Sequence, residues 1–152
     1  MVHRKKRILA IASGGGHWVQ LMRLRPAFEN LDVVWVSRDP ASRADVEPAA
    51  FLTIGEASRS QKLGVIKVAL QAFWLLWRTR PAVIVTTGAA PGLITLAIGK
   101  TVFRTKTIWI DSIANAETLS GSGNLAARFS DIRLTQWPDL ADGDIEYWGA
   151  VL

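Results

Sequence analysis

Cysteine is absent from the 152 residues, which removes disulfides, thiolate nucleophiles and the common cysteine-based zinc cages. Its absence also suits a reducing, cytoplasmic setting. His3 and His17 are the two histidines, and without clustered carboxylates beside them they make no metal site; neither metal nor cofactor is expected. Long hydrophobic runs are missing too. The basic start His3-Arg4-Lys5-Lys6-Arg7 leads into only five apolar residues, Ile8 to Ala12, short of the roughly 7 to 15 that form a signal-peptide core. The amino terminus is therefore expected to stay and face the cytoplasm, as a solvated end or as a headgroup contact. Acidic residues are scarce early on: residues 1–106 hold 16 Lys/Arg against 6 Asp/Glu, whereas 107–152 hold 2 against 7. A basic body with an acidic tail points to anionic ligands or lipid headgroups for the one and a different partner for the other. The basic residues are scattered, with no RNP-like aromatic motif and no compact reading helix, so nucleic acid is not expected.

What remains is apolar for a chain of this length. Hydrophobic residues make up 49% and charged ones 20%, with a mean hydropathy of +0.19, so some apolar surface is expected to meet a membrane or a partner. Seven tryptophans against one tyrosine strengthen that expectation, because indole rings favour membrane interfaces and the centres of protein contacts. One domain accommodates residues 1–152. Strands alternating with helices predict an α/β fold, a single Rossmann-like domain with a parallel sheet and helices on both faces, joined by right-handed crossovers.

Arg7 to Leu24 organises that fold. Ile8 to Ala12 reads as a buried strand, Ser13-Gly14-Gly15-Gly16-His17 as a loop, and Trp18 to Leu24 as a helix. The glycines permit positive φ and leave no side chains in the way, and the free N–H groups opening the helix favour a phosphate or diphosphate. The alternative is a turn that merely allows tight packing. The pattern returns at Pro81 to Thr87, a strand running into Gly88-Ala89-Ala90-Pro91-Gly92 and the helix Leu93 to Phe103. Loops beyond the carboxyl ends of parallel strands form the ligand crevice, so both should lie at one edge. The strand Lys106 to Ile110 delivers Asp111-Ser112 there, as a site carboxylate or as an N-cap. Further strands are expected at Leu31 to Ser37, Phe51 to Ile54 and Asp131 to Thr135, with a short helix at Asn124 to Phe129.

Ser60 to Arg80 predicts a helix whose polar residues Gly64, Lys67, Gln71 and Arg78 form one narrow stripe. So broad an apolar surface is expected to be buried almost all round. Leu63 to Trp77 extends roughly 22 Å at 1.5 Å per residue, short of the roughly 30 Å hydrocarbon core. Leu63, Ile66, Leu70, Phe73, Trp74 and Trp77, flanked by Arg59, Lys62, Arg78 and Arg80, fit a monotopic helix in the membrane interface; a helix packed against a partner is the alternative. At the other end, Ile145 to Leu152 is an apolar finish, expected to dock on the sheet edge or into a second chain.

Ser13-Gly14-Gly15-Gly16-His17, Thr86-Thr87-Gly88, Asp111-Ser112 with Ala114, Leu119-Ser120-Gly121 and Gln136-Trp137-Pro138 together resemble the acceptor-side, membrane-associated subunit of two-component UDP-sugar glycosyltransferases. That group includes the anchoring subunit of the dolichol-linked N-acetylglucosaminyltransferase and bacterial counterparts in exopolysaccharide and capsule assembly. The resemblance implies half of a GT-B glycosyltransferase, inactive alone and active with a donor-binding subunit that holds the UDP-sugar. It implies a lipid-diphosphate-linked sugar as acceptor and a peripheral or monotopic place on the cytoplasmic face of the plasma membrane. Carried onto these residues, it places Ser13, Gly14, Gly15, Gly16, Gly88, Ala89, Ala90, Pro91, Gly92 and Ser112 by the acceptor's phosphates. His17 and Asp111 would be the catalytic pair, one of them the base, although Asp111 stands where many relatives carry Glu. Tyr147, Trp148, Val151 and Leu152 would meet the partner, with residues 137–152 as its tail. Two other readings remain: a stand-alone dinucleotide-binding module, with Asp39 on a ribose, or a scaffolding membrane recruiter without acceptor chemistry.

Overall fold

The computed structural model describes residues 6–56 and 62–151. His3, Arg4, Lys5, Arg59, Ser60 and Leu152, singled out above, lie outside the described residues. The chain forms one parallel sheet of β1 (Arg7–Ile11), β2 (Asp32–Ser37), β3 (Ala50–Thr53), β4 (Val83–Thr86), β5 (Lys106–Ile110), β6 (Ile132–Thr135) and β7 (Glu146–Tyr147), in the order β3-β2-β1-β4-β5-β6-β7. The helices are α1 (Gly15–Arg23), α2 (Lys62–Thr79), α3 (Ala90–Thr101) and α4 (Gly121–Ala126).

Strand side chains alternate between two cores, as the period of two demands. Leu9, Ile11, Val34, Val36, Ile84 and Trp109 face the layer of α2, α3 and α4, where Val68, Ala72, Leu75, Leu76, Leu96 and Ala126 meet them. Ile8, Ala10, Val33, Trp35, Val85 and Ile110 face Trp18 and Leu21 of α1. Central strands buried on both faces must be apolar throughout, which explains the unbroken run that opens the chain. The single Rossmann-like parallel sheet expected from the sequence is the architecture found. β1 pairs with β2 on one side and β4 on the other, Ile8 lying beside both Val33 and Val83. The strand order reverses at this point, and a crevice opens there at the carboxyl edge.

Two expectations change. The helix from residue 62 is not buried all round: Val68, Ala72, Leu75, Leu76 and Thr79 are covered, while Leu63, Ile66, Leu70, Phe73, Trp74 and Trp77 are exposed. Gln71 turns inward and its Oε1 accepts the Gly55 N–H at 2.9 Å, tying α2 to the exit of β3. At the other end of the chain Glu146 and Tyr147 dock on the sheet edge, one of the two places expected for the apolar finish, and add β7 beside β6, Thr135 pairing with Tyr147. The helices of the second half also begin earlier than read, at Ala90 and Gly121, because Ala89 and Ser120 hold the capping positions.

The tryptophans divide. Trp18, Trp35 and Trp109 are core residues; Trp18 meets Trp35 and Phe51 edge to face, with centroids 6.3 and 6.0 Å apart, and its indole N–H donates to Asp45 at 2.8 Å. Trp74, Trp77 and Trp148 carry the exposed indole surface.

Candidate functional site

β1 ends at Ile11, and after Ala12 and Ser13 the chain turns through Gly14 at φ 135° and Gly15 at φ 54°. Both conformations favour glycine, and they aim the start of α1 back across the sheet edge. A Cβ placed on Gly14, Gly15 or Gly16 would meet nothing within 4 Å, so the glycines face open space and are not filling a tight contact. The Trp18 N–H reaches Gly14 O at 3.5 Å, which leaves the N–H groups of Gly15, Gly16 and His17 as the free donors of the first turn. Unpartnered amides at the positive end of a helix are the kind of group that favours an anion.

The second glycine loop lies alongside, the Ser13 N–H donating to Gly88 O at 3.2 Å. His17 is fixed between the two. Its Nδ1–H donates to the Thr87 carbonyl at 2.8 Å, and the Thr87 hydroxyl donates to the His17 carbonyl at 2.7 Å. A carbonyl only accepts, so Nδ1 carries the proton and the lone pair of the neutral ring sits on Nε2. Gly88, at φ 112°, is the floor beneath this ring: a Cβ there would fall 2.8 Å from His17 Nδ1 and Cε1.

The second loop is not a second open cradle. Gly88, Pro91 and Gly92 are buried, and a Cβ on Gly92 would collide with Thr86 Oγ1. These residues seat His17 and let α3 close on β4, while Ala89 and Ala90 stay half-buried at the rim.

Asp111 reaches the same edge but is 2% exposed. One carboxylate oxygen accepts the Ser120 N–H at 2.9 Å; the other accepts the Ser120 hydroxyl at 2.7 Å and the Asn115 amide at 3.4 Å. It fastens the loop 112–120 to the start of α4, where Ser120 Oγ in turn accepts the Gly123 N–H at 2.8 Å. It caps no helix of its own, and both of its carboxylate oxygens are engaged within the protein. Ser112 is likewise occupied, its Oγ accepting from Gln20 at 3.0 Å and from the Ala114 N–H at 3.3 Å. Asp39 caps the turn at Pro40–Asp45, accepting the Ala41 N–H at 3.0 Å.

A buried amide pair, Gln20 and the Gln136 of the Gln136-Trp137-Pro138 motif, ties these parts together. Gln136 Nε2 donates to Gln20 Oε1 at 2.7 Å and to the Asp111 carbonyl at 3.0 Å, and its Oε1 accepts the Val151 N–H at 3.0 Å. Gln20 Oε1 also accepts the Ile113 N–H at 3.1 Å, and Arg23 donates to the Val151 carbonyl at 3.1 Å. One polar residue on the buried side of α1, beside Leu21, is the sequence signal for Gln20; its partner lies 116 residues away. Val151 is thus held on its own domain, whereas Tyr147 and Trp148 are exposed at 42% and 64%.

Residues 52–151 match the family described as oligosaccharide biosynthesis protein Alg14 like. The chain belongs to the Alg14 family. It is 31% identical over 99 residues to the UDP-N-acetylglucosamine transferase subunit ALG14 of Eremothecium gossypii, an alignment covering 58% of this chain and 44% of that protein. With the human subunit of the same name it shares 27% identity over 172 aligned positions, covering 89% of this chain and 77% of that one. The chain thus spans less than half the length of the fungal relative. Among solved structures, MurG of Acinetobacter baumannii superposes with a TM-score of 0.73 at 10% identity, over 93% of this chain and 45% of MurG. A glycosyltransferase of Rickettsia africae gives 0.66 at 9% identity, over 97% and 43%. The fold is therefore that of one half of a GT-B glycosyltransferase. The Alg14 match begins at Leu52, so it takes in the Gly88 loop, Asp111, Gln136 and the tail.

Proposed function

We propose that this chain is the acceptor-side half of a heteromeric glycosyltransferase, transferring a sugar from a UDP-sugar to a lipid-diphosphate-linked saccharide in polysaccharide assembly. The observation that carries the reading is the open cradle of Gly15, Gly16 and His17 amides beside a histidine whose Nε2 is available. The acceptor's diphosphate lies on the amides and its saccharide extends past His17. Nε2 takes the proton of the acceptor hydroxyl as that oxygen bonds to the sugar's anomeric carbon, and the bond from that carbon to UDP breaks. Asp111 acts through the loop it holds, as a positioning residue. The charge growing on UDP is met by a donor-binding chain across the crevice, and the exposed Tyr147 and Trp148 belong to that chain's contact.

In this reading the exposed apolar face of α2 rests on the cytoplasmic face of the membrane and the chain is a peripheral subunit. Among the described residues no helix is long and apolar enough to cross a membrane, so in this reading the helix lies along the surface. The test is turnover of a lipid-diphosphate saccharide with labelled UDP-sugars, using the chain alone and together with its donor chain. Turnover only with both chains, abolished by His17→Gln while vesicle binding persists, supports the reading. Robust turnover by this chain alone contradicts it, and a complex that tolerates His17→Gln leaves a recruiter without acceptor chemistry.

A further inference from the structure

Opposite the cradle, at the amino edge of the sheet, lies a second basic feature that acceptor chemistry does not use. A cavity of about 320 Å³ is lined by Lys6, Arg7, Asp32, Arg78, Thr79, Arg80 and Ala82. Its floor is internally satisfied: Arg7 pairs with Asp32 at 2.9 Å and donates to the Thr79 carbonyl at 3.3 Å. Arg7 thus already serves the carbonyl end of α2, where cations are ordinarily favoured. Lys6, Arg78 and Arg80 remain around the mouth, and among the described residues none of them has a carboxylate within ion-pair distance.

Two of these cations stand on indole rings of the exposed α2 face. The Arg78 guanidinium carbon lies 5.1 Å from the Trp74 ring centroid, and that of Arg80 lies 5.3 Å from Trp77. Each stack sets a guanidinium and an indole at one depth and holds the guanidinium's donor fork ready for a phosphate.

We infer that this cavity binds the phosphodiester headgroup of an anionic phospholipid, with Lys6, Arg78 and Arg80 as its ligands. The inference rests on the membrane reading of α2. A free phosphate would satisfy the cations but leave Leu70, Phe73, Trp74 and Trp77 in water, whereas a bilayer supplies phosphate and an indole-accepting interface at adjoining depths. The cavity sits by the last turn of α2, and the crossover returns this helix antiparallel to the strands, towards the amino edge. Headgroup capture there, with the apolar face of α2 immersed, lays the strands along the bilayer plane. The cradle at the carboxyl edge is then held near the same surface, about the 27 Å length of an 18-residue helix away.

The test is flotation of the full chain with vesicles of phosphatidylcholine alone and of phosphatidylcholine with phosphatidylglycerol. Arg78→Gln/Arg80→Gln is compared with Trp74→Ser/Trp77→Ser and with a charge-matched control on other faces, Arg25→Gln/Arg128→Gln. The expected result is tighter binding to the anionic vesicles, reduced roughly thirtyfold by the Arg78/Arg80 change and far less by the control, with unaltered circular dichroism. Equal losses in both arginine pairs, or none in either, overturn the headgroup site while release of the Trp74/Trp77 variant keeps the membrane reading. Failure of the parent protein to float with any vesicle removes both. If inorganic phosphate shifts the Lys6, Arg78 and Arg80 resonances as strongly as phosphatidylglycerol vesicles do, the cavity is a free-anion site and the lipid assignment falls.

Discussion

Gly16 separates the use of the cradle from its folding better than its neighbours do. Gly14 and Gly15 need positive φ, so any side chain there strains the turn itself. Gly16 has no such need, and a Cβ on it meets open space. Gly16→Val is therefore expected to keep its melting temperature within a few degrees, since exposed changes of this kind cost about 0.5 kcal/mol or less, while filling the space in front of the amides. Calorimetry and acceptor turnover in the assembled complex check the two halves of that statement. Asp131 makes a prediction about acid. Burial pushes its carboxyl up, but hydrogen bonds from Lys100 and from the Thr107 hydroxyl and N–H outweigh this and hold it below the usual carboxylate range. A carboxyl lower in the folded than in the unfolded chain stabilises the fold above about pH 4, and that contribution is lost as acid titrates it. Asp131→Asn should lower the melting temperature at pH 7, and the gap from the parent should close as the pH falls from about 4 towards 2. A gap that stays constant across that range would contradict the assignment.

Among elements, the strands were the most legible. Central strands of a parallel sheet are covered on both faces, so Ile8 to Ala12 and Val83 to Val85 appear as unbroken apolar runs. The glycine turn after β1 was legible for the same local reason, and so was its meeting with the loop after β4. Legibility fails where a distant contact decides. The composition of α2 gives no sign that α3 and the sheet cover only the Val68, Ala72, Leu75, Leu76 and Thr79 side. Nor does the sequence around Asp111 reveal that Ser120 folds back onto its carboxylate. β7 has two exposed residues and no periodicity to read. Gln136 is the element-level test of such a distant contact. Its amide joins the exits of β5 and β6, α1 and the tail, and Gln136→Leu leaves the Val151 N–H and the Asp111 carbonyl without their partner. A loss of about 1 to 3 kcal/mol is expected, with hydrogen exchange rising in the loop 112–120 and at residues 149–151; a loss confined to global unfolding would contradict the clasp. On α2, Trp74→Ser/Trp77→Ser should leave the melting temperature nearly unchanged, both rings being more than half exposed, and abolish flotation with vesicles. Retained flotation would assign that face to a protein partner instead.

For the whole molecule, the two ends of the sheet carry different features. The carboxyl edge carries the amide cradle and His17, the amino edge carries the cluster of Lys6, Arg78 and Arg80, and the exposed face of α2 runs between them. The fold matches 45% of MurG, and in the proposed reading a second chain supplies the facing wall of the crevice, meeting the open amides and the exposed Tyr147 and Trp148. The most direct measurement is a titration of the isotopically labelled chain with a water-soluble, short-chain lipid diphosphate, following the backbone amide resonances. Saturable shifts at Gly15, Gly16 and His17, lost in Gly16→Val, are the predicted result. Shifts absent there, or confined to Lys6, Arg78 and Arg80 at the opposite edge, would contradict the cradle as the seat of the acceptor.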